Sequence, residues 1–188
     1  VGLLNIARQL DGVQLGLMNF AQESDGAPIG LLTIAGDGLH EFTLWNADTS
    51  AANIGFKLGG RSVYTLFSLG IQPADEKEGA GVAGMAGVGI GGHIPVDPLF
   101  IDIDVVSHFV LSNIQGDTYD TGLLNQLRLA FGYQVNRSFA VYLGVSLNAA
   151  LNFKGAAALD LTPMPHADVD IQGTTVRFTP GLFAGIQI

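Results

Sequence analysis

The sequence predicts an all-β fold, because apolar residues recur at every second position over several long segments. Between Phe139 and Lys154, one set of alternate positions is wholly apolar and the other is polar or small. Segments 127–136 and 176–188 alternate in the same way. These runs exceed the usual strand of about five or six residues and match the length of a tilted strand that crosses a bilayer. Together they predict an antiparallel transmembrane β-barrel.

The composition supports a membrane protein. Of the 188 residues, 48% are hydrophobic and only 13% are charged, and the charged fraction is about half that of an ordinary soluble domain. The net charge of −9 argues against nucleic-acid binding, since phosphates require Lys and Arg. The absence of cysteine excludes disulfides and thiolate metal sites.

In the long alternating runs the apolar face carries no charge, and the charges lie on the opposite face. The remaining residues of that face are mostly Gly, Ala, Ser and Asn, which suits a narrow lumen better than a surface in bulk water. The charged positions are Lys57, Asp102, Asp104, Arg128, Lys154 and Arg177.

The connections between predicted strands alternate in length. Segments 113–121 and 154–173 are long, whereas segments 59–61 and 136–138 are tight turns. Outer-membrane barrels alternate long extracellular loops with short periplasmic turns. If long and short connections alternate in this way, the C-terminus is expected at the periplasmic end. His93 is expected in a turn at the same end.

The strand count is odd. The alternation predicts eleven strands, whereas single-chain bacterial barrels have an even number. We expect twelve, with one strand missing upstream of Val1; the alternative is an eight-stranded barrel from about residue 39, preceded by repeats. The predicted strands are 1–9, 13–21, 28–36, 39–46, 51–58, 62–71, 80–92, 99–111, 123–135, 139–153 and 174–188.

A 14-residue repeat occupies segment 1–38. Val1–Ala7, Leu15–Ala21 and Ile29–Ala35 are similar, and Asp-Gly follows each copy. We expect one short strand and one turn per copy, forming an antiparallel meander continuous with the barrel of 39–188. The alternative is a soluble β-solenoid, limited to the N-terminus, in which Asn5, Asn19 and Thr33 form a ladder.

Several segments carry a resemblance to a known group of proteins. VYTLFSLG, GVGIGGHIPV, LFIDIDVV and FAVYLGVSLN resemble strands of bacterial outer-membrane β-barrel proteins. GLLNIA, GLMNFA and GLLTIA resemble the poorly characterised subgroup with N-terminal "surface repeats". The resemblance implies an outer-membrane location in the cell envelope and no agreed activity. The final residue, Ile188, departs from the aromatic residue usual in such barrels.

The inward charges predict a structural network in the lumen, because buried charges require partners. We expect Asp102 or Asp104 to pair with Arg128 or Arg177. No catalytic residue, cofactor site or metal site is predicted. Ser107 and His108 lie on opposite faces of one strand, which argues against a Ser-His hydrolase.

Segment 79–84 matches the G-x-G-x-x-G pattern but follows QPADEKE instead of an apolar strand, so no dinucleotide site is predicted. The inward glycines instead make room for bulky lumenal side chains such as Tyr64, Tyr142 or Phe183. These glycines are Gly81, Gly87, Gly89 and Gly91.

The sequence therefore predicts a structural or partner-binding outer-membrane barrel without catalysis. Its partners are the lipid bilayer and another envelope protein that contacts loops 113–121 and 154–173. A narrow, porin-like passive channel for small solutes is the first alternative, and an outer-membrane hydrolase is the second.

Overall fold

The computed structural model describes residues 1–73, 82–113, 119–153, 161–171 and 173–188. No helix in this part of the chain is long and apolar enough to cross a membrane. Its regular structure consists of strands: β1 Gly2–Leu10, β2 Val13–Ser24, β3 Ala27–Ala35, β4 His40–Ala47, β5 Ser50–Gly59, β6 Val63–Pro73, β7 Val82–Val96, β8 Leu99–Asn113, β9 Tyr119–Asn136, β10 Phe139–Asn152, β11 Ala167–Ile171 and β12 Thr174–Gln187.

Eight strands close into an antiparallel barrel in the order β4-β5-β6-β7-β8-β9-β10-β12. Strand β12 completes the circle by pairing with β10 on one side and β4 on the other. The eight-stranded alternative, which begins near residue 39, is therefore confirmed. The preferred count of twelve is wrong, because the three repeat strands form a separate sheet. Short β11 pairs with the end of β12 nearest the long loops.

The lumen of the barrel is filled by three clusters of buried side chains. Tyr64, Leu66 and Val106 form the smallest, against which Leu39 packs. A second contains Trp45, Phe100, Ala130, Ala140, Tyr142 and Phe183. A third lies toward the long loops and contains Ala83, Met85, Val110, Leu124, Ala150 and Leu161. A barrel of eight strands is just wide enough for such filling.

Glycine makes room for the largest of these side chains. A Cβ added to Gly91 would collide with the Tyr64 ring. Phe183 lies against Gly144 in the same way, and Tyr142 lies against Gly185. The three predicted bulky residues are thus all accommodated by glycines, although only Gly91 is one of those predicted to do so. Gly81 lies outside the described residues.

The repeat is a stack of three parallel coils. Leu4 pairs with Met18 and Met18 pairs with Leu32, so each coil is offset from the next by one repeat. The expected antiparallel meander is wrong, and the solenoid alternative is the observed arrangement. Inside the stack, Asn5 Nδ2 donates to Asn19 Oδ1 over 2.9 Å, and Asn19 Nδ2 donates to Thr33 Oγ1 over 3.4 Å. Side chains at equivalent positions of the repeat stack in this way when the strands are parallel and in register.

Candidate functional site

The outer wall of the barrel is apolar on all eight strands. One residue from each strand, with between 41% and 66% of its surface exposed, illustrates this: Phe42, Ile54, Leu69, Ile90, Val105, Leu127, Leu143 and Leu182. Among the barrel-strand side chains that the structure describes, no Asp, Glu, Lys or Arg points outward. Soluble monomers rarely expose an apolar patch larger than a few hundred Å². The outer wall is therefore an interaction surface that surrounds the barrel.

Aromatic residues occupy both ends of this wall. Phe131 and Tyr133 are exposed near the tight turn between β9 and β10. Phe109 and Phe153 are exposed toward the opposite end, where the long loops lie. Such girdles mark the two interfaces of a membrane barrel.

Asp102 is the centre of a buried charge cluster in the lumen, and only 1% of it is exposed. Lys57 Nζ lies 2.5 Å from Asp102 Oδ2, and His93 Nδ1 lies 2.7 Å from Oδ1. Gln187 Nε2 donates to Oδ2 over 3.4 Å. These three partners come from β5, β7 and β12, so one carboxylate links three strands to β8.

Asp104 is the second buried carboxylate. Tyr64 Oη donates to its Oδ1 over 2.5 Å, and Arg128 Nε lies 3.9 Å from its Oδ2. The Arg128 guanidinium also lies between two aromatic rings, 4.9 Å from the ring centre of Trp45 and 4.3 Å from that of Phe183. Stacking of this kind favours arginine over lysine.

Arg177, the fourth residue of the predicted network, lies toward the long loops. Its Nε donates to Asp168 Oδ1 over 2.9 Å, and its Nη2 donates to Asp168 Oδ2 over 3.0 Å. This hydrogen bonding holds the pKa of Asp168 below its usual value. Asp168 belongs to β11, a strand that the sequence did not predict because it lies within the long loop 154–173.

Four partners of the two buried carboxylates lie outside the predicted network: Lys57, Tyr64, His93 and Gln187. His93 was expected in a turn, but β7 continues to Val96 and holds His93 opposite Asp102. Lys57 and Tyr64 reach across the lumen from β5 and β6, which are not neighbours of β8. The alternation predicted that both side chains enter the lumen, but not that they contact Asp102 and Asp104.

The cluster has little room for a substrate. The cavity beside it measures about 10 Å³ and is lined by Thr43, Lys57, Leu66, Asp102, Asp104, Arg128, Ala130, Tyr142 and Gln187. That is about the space that one water molecule requires. Ser107 is on the outward face, whereas His108 is buried in the lumen, where its Nε2 lies 3.1 Å from Ser68 Oγ. This geometry favours a role in holding the strands together.

Comparison of the chain with models of known protein families, with curated proteins and with solved structures gives no match. Its function is therefore inferred from its own geometry.

Proposed function

We propose that the chain is a structural barrel of the bacterial outer membrane that holds the N-terminal repeat at the membrane and catalyses no reaction. The observation that carries the proposal is the outer wall, because every barrel strand presents exposed apolar side chains there. A soluble antiparallel barrel would present polar side chains to water on that face. The repeat is also the feature in which the sequence resembles the surface-repeat subgroup.

We infer the orientation of the barrel from the lengths of its loops. Tight turns join β5 to β6, β7 to β8 and β9 to β10 at one end of the barrel. At the other end β4 and β5 are joined by the two residues Asp48 and Thr49, whereas the remaining connections are longer. We place the tight-turn end in the periplasm, as in other outer-membrane barrels. Strand β4 begins at this end, so the repeat that precedes it lies on the periplasmic side. Loops 113–121 and 154–173, which lie partly outside the described residues, then face the exterior and are proposed to contact another envelope protein.

The filled lumen favours a structural role over a passive channel. The three clusters and the charge cluster leave a cavity of only about 10 Å³ beside Asp102. Solute passage would require a continuous path for water, and an eight-stranded barrel seldom provides one.

Folding from denaturant tests the membrane assignment. The unfolded chain is diluted either into buffer alone or into phosphatidylcholine vesicles, and folding is followed by the mobility of unheated samples on a gel. We expect the compact, protease-resistant form only with vesicles, because the outer wall then contacts lipid. A folded monomer that stays in solution without vesicles would contradict the proposal.

A further inference from the structure

The coils of the repeat have three sides. Exposure alternates along β2 but breaks at Leu17–Met18 and at Gln22–Glu23, where two successive side chains are exposed. At each break the inward-facing positions change between even and odd residue numbers. The chain therefore turns a corner there. The three sides of the middle coil are therefore 13–17, 18–22 and 23–25, around an interior of Gln14, Gly16, Asn19, Ala21 and Ser24.

Two of the sides are apolar. The parallel register stacks equivalent positions, so the exposed residues of successive coils form ladders. The apolar ladders are Leu3–Leu17–Leu31, Leu4–Met18–Leu32 and Ile6–Phe20–Ile34. These two sides carry one charged residue, Arg8, which lies at the end of the second side, next to the third. The third side is polar and carries Gln9, Asp11, Glu23, Asp25 and Asp37.

The last coil is capped by the outer wall of the barrel. Thr65 is at an outward position of β6, yet only 2% of it is exposed, because its Oγ1 donates to the Gly30 carbonyl over 2.6 Å. Backbone carbonyls of a parallel stack point along the stack axis, so the stack extends away from the barrel wall. The exposed fractions of equivalent side chains agree with this direction. Leu3, in the first coil, is 79% exposed, whereas Leu31, in the coil against the barrel, is 48% exposed.

The polar side is held at the level of the tight turns. Arg61, in the turn between β5 and β6, lies 2.8 Å from Asp25 Oδ1 and 2.8 Å from Asp37 Oδ2. Arg61 is itself 59% exposed, so this side meets water beyond the end of the barrel. The two apolar sides lie on the other faces of the coils, next to the apolar outer wall on which the last coil is seated.

We propose that the repeat lies in the membrane interface, with its two apolar sides against the acyl chains of the leaflet nearest the tight turns. The inference rests on the proposed membrane location of the barrel. An element with one charged and two apolar sides suits this position, because interfacial elements bury their apolar face below the lipid headgroups. The last coil adjoins the apolar outer wall, so the lipid proposed to surround that wall also reaches these sides, which favours lipid over a second copy of the chain as their occupant.

Quenching by brominated lipid tests the inference. The single tryptophan, Trp45, lies inside the lumen, so Trp45→Phe provides a background into which one tryptophan is introduced. Leu17→Trp reports on an apolar side, Glu23→Trp on the polar side of the same coil, and Leu143→Trp on the barrel wall. Each folded variant is studied in vesicles of phosphatidylcholine with or without bromine on the acyl chains.

We expect the emission at positions 17 and 143 to fall by about half or more with brominated lipid, and that at position 23 to change little. Quenching at 143 without quenching at 17 would overturn the inference and leave the membrane barrel intact, whether the repeat stands in water or is covered by a second copy. The absence of quenching at both positions would overturn the membrane barrel as well. If Leu17→Trp fails to fold, Phe20→Trp on the second apolar side replaces it, with the same criteria.

Discussion

The ammonium group of Lys57 lies 2.5 Å from the carboxylate of Asp102, and both side chains are buried inside the barrel. The two residues come from β5 and β8, which are separated in the wall by β6 and β7. Ladder hydrogen bonds join only neighbouring strands, so this contact adds a link across the lumen. Tyr64 and Asp104 form a second such link between β6 and β8.

Replacing Lys57 tests whether the cluster stabilises the barrel. Lys57→Met would leave Asp102 with His93 and Gln187 but without its closest cation. We expect a loss of about 3–5 kcal/mol in the free energy of unfolding, the usual cost of leaving a buried charge unpaired. Urea titration of the barrel in vesicles measures it. The double variant Lys57→Met/Asp102→Asn should recover much of the loss; a double variant less stable than the single one would show that the charge of Asp102 is not the cause.

Two adjacent glycines test how tightly the lumen is filled. Gly91→Ala would place a methyl group against Tyr64 and Asp104, whereas the nearest atom to a Cβ at position 92 is the Ser62 carbonyl oxygen at 3.8 Å. We expect Gly91→Ala to destabilise the barrel by about 1–3 kcal/mol through overpacking. Gly92→Ala is the matched control and should stay close to the parent in the same urea titration. Equal effects of the two substitutions would contradict a filled lumen at this level.

The polar ladder is expected to stabilise the repeat independently of the barrel. Asn19 is fully buried and hydrogen-bonds to Asn5, Thr33 and the Ile29 carbonyl. Asn19→Ala removes these three hydrogen bonds, and although Asn5 Nδ2 keeps the Leu15 carbonyl, we expect a cost of about 1–3 kcal/mol. Amide hydrogen exchange should speed up over residues 2–35 and remain unchanged in the barrel strands. Gln22→Ala, at an exposed position of the same strand, is the control and should leave exchange unaffected.

The barrel was largely predictable from the sequence, because each of its strands separates an apolar surface from a polar, crowded one. That difference imposes strict alternation, which is clearest over residues 139–153. The number of strands was not predictable, since alternation identifies strands but not which of them pair. The repeat was harder still, because its corners change the parity of the inward positions. Recurrence of Asn at positions 5 and 19 was the local feature that indicated a parallel stack.

The lumenal cluster was predictable only where its members lie on neighbouring strands. Asp104 and Arg128 share a register position on β8 and β9, so inward parity alone brings them close. The partners of Asp102 depend on how the whole cylinder closes, because Lys57 and Gln187 approach it from β5 and β12. No local sequence pattern indicates that side chains of these strands meet inside the lumen. The Arg177–Asp168 pair likewise depends on a short strand within a loop.

The most direct test of the membrane barrel compares one charge at two depths. Val145 and Val135 both face outward and are 49% and 51% exposed, but Val145 lies near the middle of β10 and Val135 lies beside a tight turn. In vesicles we expect Val145→Arg to reduce the free energy of unfolding by about 2–4 kcal/mol, and Val135→Arg by about 0–1 kcal/mol, because the cost of a cation falls toward the membrane interface. Small and equal effects at both positions would show that the outer wall faces water and would contradict the account.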